Sequence, residues 1–181
     1  PLSMITRALA MGLAEHPDLV LITGDFWTDR YRDFAEYVEV LRVLSSAVPT
    51  YAVVGNHDGG RWAARTTGWP TLDPIDRLLS DASIPLLFNE STTLVVRGRR
   101  IELVGVGDLW AGDCHTPQAF AGLPSRTAAD GTLRLVMNHN PDAKDEFRGQ
   151  DWDLMLCGHT HGGQLKPPWF GTPFAPVHDR R

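Results

Sequence analysis

The chain predicts an α/β fold in which two packed mixed sheets are flanked by helices. Three observations carry this. Four apolar runs, Leu19-Val20-Leu21-Ile22, Tyr51-Ala52-Val53-Val54, Leu133-Arg134-Leu135-Val136-Met137 and Leu154-Met155-Leu156-Cys157, have the length of buried strands, and each ends in a polar turn. Segments with helical periodicity stand between them. Arg97-Gly98-Arg99 joins two β-rich runs as a hairpin, so one sheet turns antiparallel in its second half.

Taken in order, a helix is expected over 3–15, because Leu2, Ile5, Leu9 and Leu13 fall on one face until the break at His16-Pro17. A strand follows over 18–23. The helix over 31–46 has a buried stripe of Phe34, Val38, Leu41 and Leu44, and the chain leaves it at Val48-Pro49. A strand over 50–54, a helix over 72–81 and strands over 85–88, 92–97 and 100–106 come next. A short helix from Thr116-Pro117 to Ala121, a strand over 132–137, a helical stretch over 141–148 and a strand over 153–157 complete the layout. Repeated strand-helix-strand units with one hairpin favour two layers of sheet between helices.

Composition narrows the function. The chain has 181 residues, a net charge of −5 and no Lys/Arg cluster, which argues against a nucleic-acid polymer as partner. No linker composition or repeat divides it, so one domain over 1–181 is expected. The two cysteines, Cys114 and Cys157, make no framework; Cys157 reads as a small buried strand residue and Cys114 as a loop thiol. No apolar stretch approaches a membrane span.

The strand ends carry the chemistry. Thr23-Gly24-Asp25, Gly55-Asn56-His57-Asp58, Asn138-His139-Asn140-Pro141 and Gly158-His159-Thr160-His161-Gly162-Gly163-Gln164 are all rich in groups that bind metals. Ligands of open α/β sheets bind outside the carboxyl ends of strands, so the four turns would surround one site. Any one of them alone is ordinary turn chemistry. Two imidazoles separated by one residue, as in His159-Thr160-His161, are equally compatible with a hydrogen-bonded turn. Four such turns after four strands are much harder to explain in that way.

Gly24-Asp25, Gly55-Asn56-His57-Asp58, His139 and Gly158-His159-Thr160-His161 match, in order, the motif series of the calcineurin-like metallophosphoesterases, which the chain resembles from about Leu2 to Pro168. The stretches Gly105-Val106-Gly107-Asp108-Leu109-Trp110 and Asn138-His139-Asn140-Pro141-Asp142 are most similar to the bacterial branch of small phosphodiesterases that includes UDP-diacylglucosamine hydrolases. The first motif of that family, Asp-x-His, is absent. The chain opens on Pro1 and closes in a proline-rich run to Arg180-Arg181, which reads as an internal piece of a longer protein, incomplete at both ends.

The resemblance implies a four-layer α/β/β/α sandwich and a centre of two divalent metal ions, manganese, iron, zinc, nickel or cobalt. A pair of cations roughly 3.5 to 4 Å apart holds a phosphate ester and activates a bridging hydroxide. By the same resemblance, Asp25 bridges the metals, Asn56, His139 and His159 complete one position, and His161 joins Asp25 at the other. By the same resemblance His57 is expected to face the phosphate as a cation or as general acid to the leaving oxygen, with Asp58 orienting its ring or raising its pKa. The implied activity is hydrolysis of a phosphodiester or pyrophosphate bond in a nucleotide-linked or lipid-linked substrate. A phosphomonoesterase, a cyclic-nucleotide phosphodiesterase and a non-catalytic metal-bound scaffold are the alternatives. The implied place is the cytoplasm or the bacterial inner membrane, with peripheral lipid contact in the whole protein.

Arg61, Asp108, Asp113, His115 and Asn138 lie near the motifs without a pattern of their own. Phe26, Trp27, Trp62, Trp69, Trp110, Trp169 and Phe170 cluster in loops. Most are expected to cap the core, although stacking on a base or sugar, or dipping into a bilayer, is the functional use of such residues.

Overall fold

Residues 2–28, 33–127, 131–162, 169 and 175–178 are described by the computed structural model of the chain. Gly163-Gln164, Phe170 and most of the proline-rich run lie outside them. The elements are α1 (Leu2–Ala14), β1 (Val20–Ile22), α2 (Phe34–Ala47), β2 (Thr50–Ala52), α3 (Gly60–Ala63), α4 (Asp73–Asp81), β3 (Glu90–Val96), β4 (Arg99–Gly105), α5 (Thr116–Phe120), β5 (Leu133–Met137), a 3₁₀ helix (Pro141–Phe147) and β6 (Leu154–Leu156). No helix among these residues is long and apolar enough to cross a membrane.

Two sheets form. β1 and β2 pair in parallel, and β3-β4-β5-β6 make a mixed sheet in which β3 is antiparallel to β4 while β4, β5 and β6 run parallel. The hairpin is the one expected: Val96 opposes Arg99, and Arg97 and Gly98 take φ of 48° and 78°. Positive φ at both central residues matches the twist of the strands, and it suits glycine best.

Side chains alternating across the strands assign the layers. Ile22, Ala52 and Val54 join Tyr37, Val38, Leu41, Ile75, Leu78 and Leu79 in a core beneath α2 and α4, with Leu2 and Ile5 of α1 at its edge. Leu21, Tyr51 and Val53 point the other way and meet Ile101, Leu103, Leu135 and Met137 between the sheets. Val104, Val106 and Val136 face outward under Ala119, Phe120, Ala143 and Phe147 of α5 and the 3₁₀ helix. The order helices, sheet, sheet, helices is therefore the expected four-layer arrangement.

α2 shows the energetics. Asp33 caps it by accepting from Glu36 N, and Tyr37, Val38, Leu41 and Leu44 are buried. Each fully buried apolar side chain contributes about 1.5 to 3 kcal/mol, more than the intrinsic tendency of so short a helix supplies. Packing is what holds it.

Three expectations need correction. The strand over 85–88 reduces to a single parallel bridge between Ala52 and Leu86, flanked by Ala52 N to Pro85 O and Leu87 N to Ala52 O. Pro85 has no N–H and cannot extend the ladder. The stretch over 141–148 is a 3₁₀ helix, begun by Asn140 accepting from Asp142 N, instead of an α-helix. The two-stranded sheet is purely parallel, so only the four-stranded one is mixed.

Candidate metal centre

β1, β2, β5 and β6 deliver their terminal turns to one place. After β1 the chain turns at Gly24, φ 89°, and Asp25 follows with φ 60°, in the left-handed region that costs a non-glycine residue energy. The turn is held there by Asp58. Asp25 N donates to Asp58 Oδ2 at 2.8 Å, Phe26 N to Oδ1 at 2.6 Å, and Gly55 N to Oδ2 at 2.7 Å. One fully buried carboxylate thus ties the turn after β1 to the turn after β2. The two turns cross so closely that a Cβ on Gly24 would stand 2.3 Å from Gly55 N, and one on Gly55 would stand 2.3 Å from Asp25 Oδ1. Glycine is required at both positions.

The Asp25 side chain is then aimed by two partners. Oδ1 accepts from His57 N at 3.1 Å, and Oδ2 lies 3.1 Å from His139 Nε2. His139 stands at the end of β5, buried, with Nδ1 2.7 Å from the carbonyl oxygen of Thr23. A carbonyl accepts only, so Nδ1 carries the hydrogen and Nε2 faces the site. A backbone acceptor of this kind is what sets the tautomer of a metal-binding imidazole. His159, after β6, places Nδ1 3.1 Å from that same Nε2. The glycine before it admits the approach, since a Cβ on Gly158 would sit 3.0 Å from Thr23 Oγ1 and 3.3 Å from His139 Nδ1.

Ligand atoms of Asp25, His139 and His159 lie within 4.8 Å of one another. Burial pushes the Asp25 carboxyl up, but the hydrogen bond and charge of His139 and the His57 N–H bring it below its ordinary value. Burial lowers His139, and the Asp25 hydrogen bond and charge outweigh it, so that ring is raised. His159 is lowered, first by burial and then by the neighbouring His139. Two imidazole nitrogens converging on one carboxylate is an arrangement that a divalent cation satisfies better than protons do.

The remaining motif residues separate. Asn56 is 1 % exposed, and its Oδ1 has no hydrogen-bond partner among the described residues. A buried amide oxygen left open beside the Asp25 turn fits a metal ligand. His161 lines the same cavity, of about 410 Å³, but is exposed at its mouth and does not join the three-residue group. Asp58 does not orient His57 as the sequence suggested. Its two oxygens hold three backbone N–H groups, while His57 Nδ1 is buried with no hydrogen-bond partner among the described residues. Burial pushes the Asp58 carboxyl up to about 7, against the pull of those N–H donors. Cys157 is also corrected: it lies one residue beyond β6, exposed, on the wall of the cavity.

Sequence reasoning missed several contributors. The Thr23 carbonyl is one, and a backbone acceptor leaves no trace in residue type. Asp108 was left without a role; it is fully buried after β4, with Oδ1 accepting from Ala111 N at 2.9 Å and Oδ2 without a hydrogen-bond partner among the described residues. Of the aromatic residues, Phe26 and Trp27 are buried in the core and Trp69 packs against it. Trp62 and Trp110 instead touch the histidines: Trp62 lies edge-on to His57 with centroids 4.6 Å apart, and Trp110 edge-on to His159 at 4.4 Å. Arg61 and His115 are exposed.

Comparison with known proteins agrees with this geometry. Residues 2–163 match the model of the family described as calcineurin-like phosphoesterase. The phosphodiesterase YaeI of Escherichia coli is 46 % identical, covering all of this chain and 62 % of that protein. A metallophosphoesterase of Bacillus subtilis, YkuE, is 28 % identical over 91 % of this chain and 54 % of its own length. The UDP-2,3-diacylglucosamine pyrophosphatase LpxG of Chlamydia muridarum is 25 % identical over 84 % of this chain and 56 % of itself. The chain therefore spans a little over half the length of these three relatives.

Proposed function

This chain belongs to the calcineurin-like phosphoesterase family, and on that premise we propose that it carries the catalytic site of a metal-dependent hydrolase of phosphodiester or pyrophosphate bonds. The observation that carries the reading is the convergence of the Asp25, His139 and His159 ligand atoms within 4.8 Å, at the ends of three strands. Asp25, Asn56, His139 and His159 would hold one divalent ion, and Asp25 with His161 would contribute to a second. When bound, such ions neutralise charge on the phosphoryl oxygens and lower the pKa of a coordinated water.

The protein's own residues do the rest. Asp58 locks the Asp25 turn, so the carboxylate is placed before any ligand arrives. The Thr23 carbonyl holds a hydrogen on His139 Nδ1 and so turns Nε2 toward the site. His57, whose backbone N–H is bonded to Asp25, would give a proton to the leaving oxygen, as the family resemblance implies. The names of YaeI and LpxG point toward a phosphodiester or a lipid-linked pyrophosphate as the substrate class.

The test is hydrolysis of bis(p-nitrophenyl) phosphate by the whole protein loaded with manganese, compared with p-nitrophenyl phosphate. Faster turnover of the diester is expected. Preference for the monoester would shift the reading to a phosphomonoesterase, and no turnover of either by protein that holds metal would favour the scaffold.

A further inference from the structure

The orientation of His57 is the unsolved part of this site, because the residue expected to orient it does not. Both Asp58 oxygens are taken by backbone N–H groups, and His57 Nδ1 is buried with no hydrogen-bond partner among the described residues. The ring is gripped from another direction. The Trp62 indole meets it with centroids 4.6 Å apart and planes at 75°. Trp62 then meets Trp110 at 6.0 Å and 35°, Trp110 meets His159 at 4.4 Å and 88°, and His159 meets His139 at 4.9 Å and 75°. The separations lie within, or for Trp110 and His159 at the short edge of, the range of favourable edge or offset contacts.

Both indoles sit on anchored segments. Trp62 lies in α3, where Ala64 N bonds to Gly60 O and Arg65 N to Trp62 O. Trp110 lies in the turn that Asp108 closes, with Ala111 N on Asp108 Oδ1 and Asp113 N on Asp108 O. The aromatic chain therefore runs from one fixed segment to another and spans the gap between His57 and the histidines of the metal centre.

We propose that Trp62 is a positioning residue for His57, and that Trp110 ties this pair to His159, so that the proton donor and the metal-facing histidines keep a fixed separation. The proposal rests on the reading of His57 as donor to the leaving oxygen. An indole edge against the ring fixes its plane without consuming either ring nitrogen, whereas a hydrogen-bonded carboxylate would occupy one. Misplacing a catalytic group by about an ångström can cost up to about 10²-fold in rate, so the grip of Trp62 is worth a measurable factor.

The experiment uses the whole protein with manganese and two diesters with the same retained group, methyl p-nitrophenyl phosphate and methyl phenyl phosphate. Trp62→Leu should lower kcat for the phenyl ester about 10- to 100-fold more than for the p-nitrophenyl ester, whose leaving group needs little help from an acid. Metal content and KM should stay near the parental values. Trp62→Phe should restore most of the loss, and Trp110→Leu should show the same selectivity more weakly. Independently of activity, and with diamagnetic zinc in place of manganese, the ring C–H proton signals of His57, shifted by the indole, should move in Trp62→Leu. If that variant does not fold, Trp62→Met, closer in volume, carries the same comparison. Equal loss on both esters, or unmoved His57 signals, would overturn the proposal. If the signals move but His57→Ala shows no dependence on the leaving group, the positioning contact stands and the donor reading falls.

Discussion

Two halves of the site use the same residue types for opposite ends. In the Asp25, His139 and His159 half, side chains face one another across 3.1 Å, and their ligand atoms are left directed at a common point. In the Asp58 half, the carboxylate turns away from the neighbouring His57 and serves the backbone, taking N–H groups of Asp25, Phe26 and Gly55. A cage needs lone pairs left over, and a frame needs none. The aspartates differ in function because Asp25 is partly exposed to the cavity while Asp58 is sealed beneath it, where every oxygen must find a donor.

Removing a cage residue should have the largest effect. Asp25→Ala, His139→Ala or His159→Ala is expected to remove bound metal and reduce hydrolysis of an aryl diester to background, measured by metal analysis and turnover on the same preparation. Near-parental turnover by Asp25→Ala would dissolve the distinction between the two halves.

The frame should fail differently. Asp58→Ala leaves three N–H groups, two buried and one partly buried, without acceptors, which at about 1 kcal/mol for each lowers stability by about 3 kcal/mol. Metal affinity should fall along with it, because the Asp25 turn relaxes. Denaturant unfolding with and without metal separates the two losses, and a variant as stable as the parent would contradict the framing role.

His57 belongs to neither half. His57→Ala should keep its metal and lose about 10²- to 10⁴-fold in rate, less for esters whose leaving group needs no proton. Loss of metal along with rate would place it in the cage instead.

The smallest effect lies farthest from the site, and it calibrates the others. Arg126 pairs with Asp151 at 2.7 Å and Asp153 at 2.5 Å, and its hydrogen bonds, aided by its charge, hold both carboxyls below their ordinary values. A lowered carboxylate contributes stability above its unfolded pKa and loses it as pH falls through the folded value. The difference between parent and Arg126→Ala should therefore be present at neutral pH and vanish in acid, below the ordinary carboxylate range. Both acids are largely exposed, so it should not exceed about 1 kcal/mol by thermal melts across that range. A larger difference would mark this network as part of the core.

Legibility followed the same division. The strand ends bearing Asp25, Asn56, His139 and His159 were readable because apolar runs of strand length end where groups able to bind metal begin. The hairpin at Arg97-Gly98 was readable because positive φ at two successive residues needs that kind of turn. The bridge at Leu86 was misread as a strand because its failure depends on Pro85 lying across from Ala52, a pairing no local pattern shows. The α3 helix is four residues long, too short for any periodicity to announce it.

What the sequence determined by itself was the set of chemical groups and their order along the chain, since apolar period and turn residues are local and set by sterics and burial. Which group turns toward which was decided by tertiary structure. Asp58 binds backbone in place of His57, the Thr23 carbonyl chooses the His139 tautomer, and Trp62 and Trp110 leave the core to touch histidines. The Asp58 bonds to Asp25 and Phe26, the Thr23 bond to His139 and the Trp110 contact with His159 join residues from 32 to 116 positions apart in the chain, and such distances exist only in the folded structure.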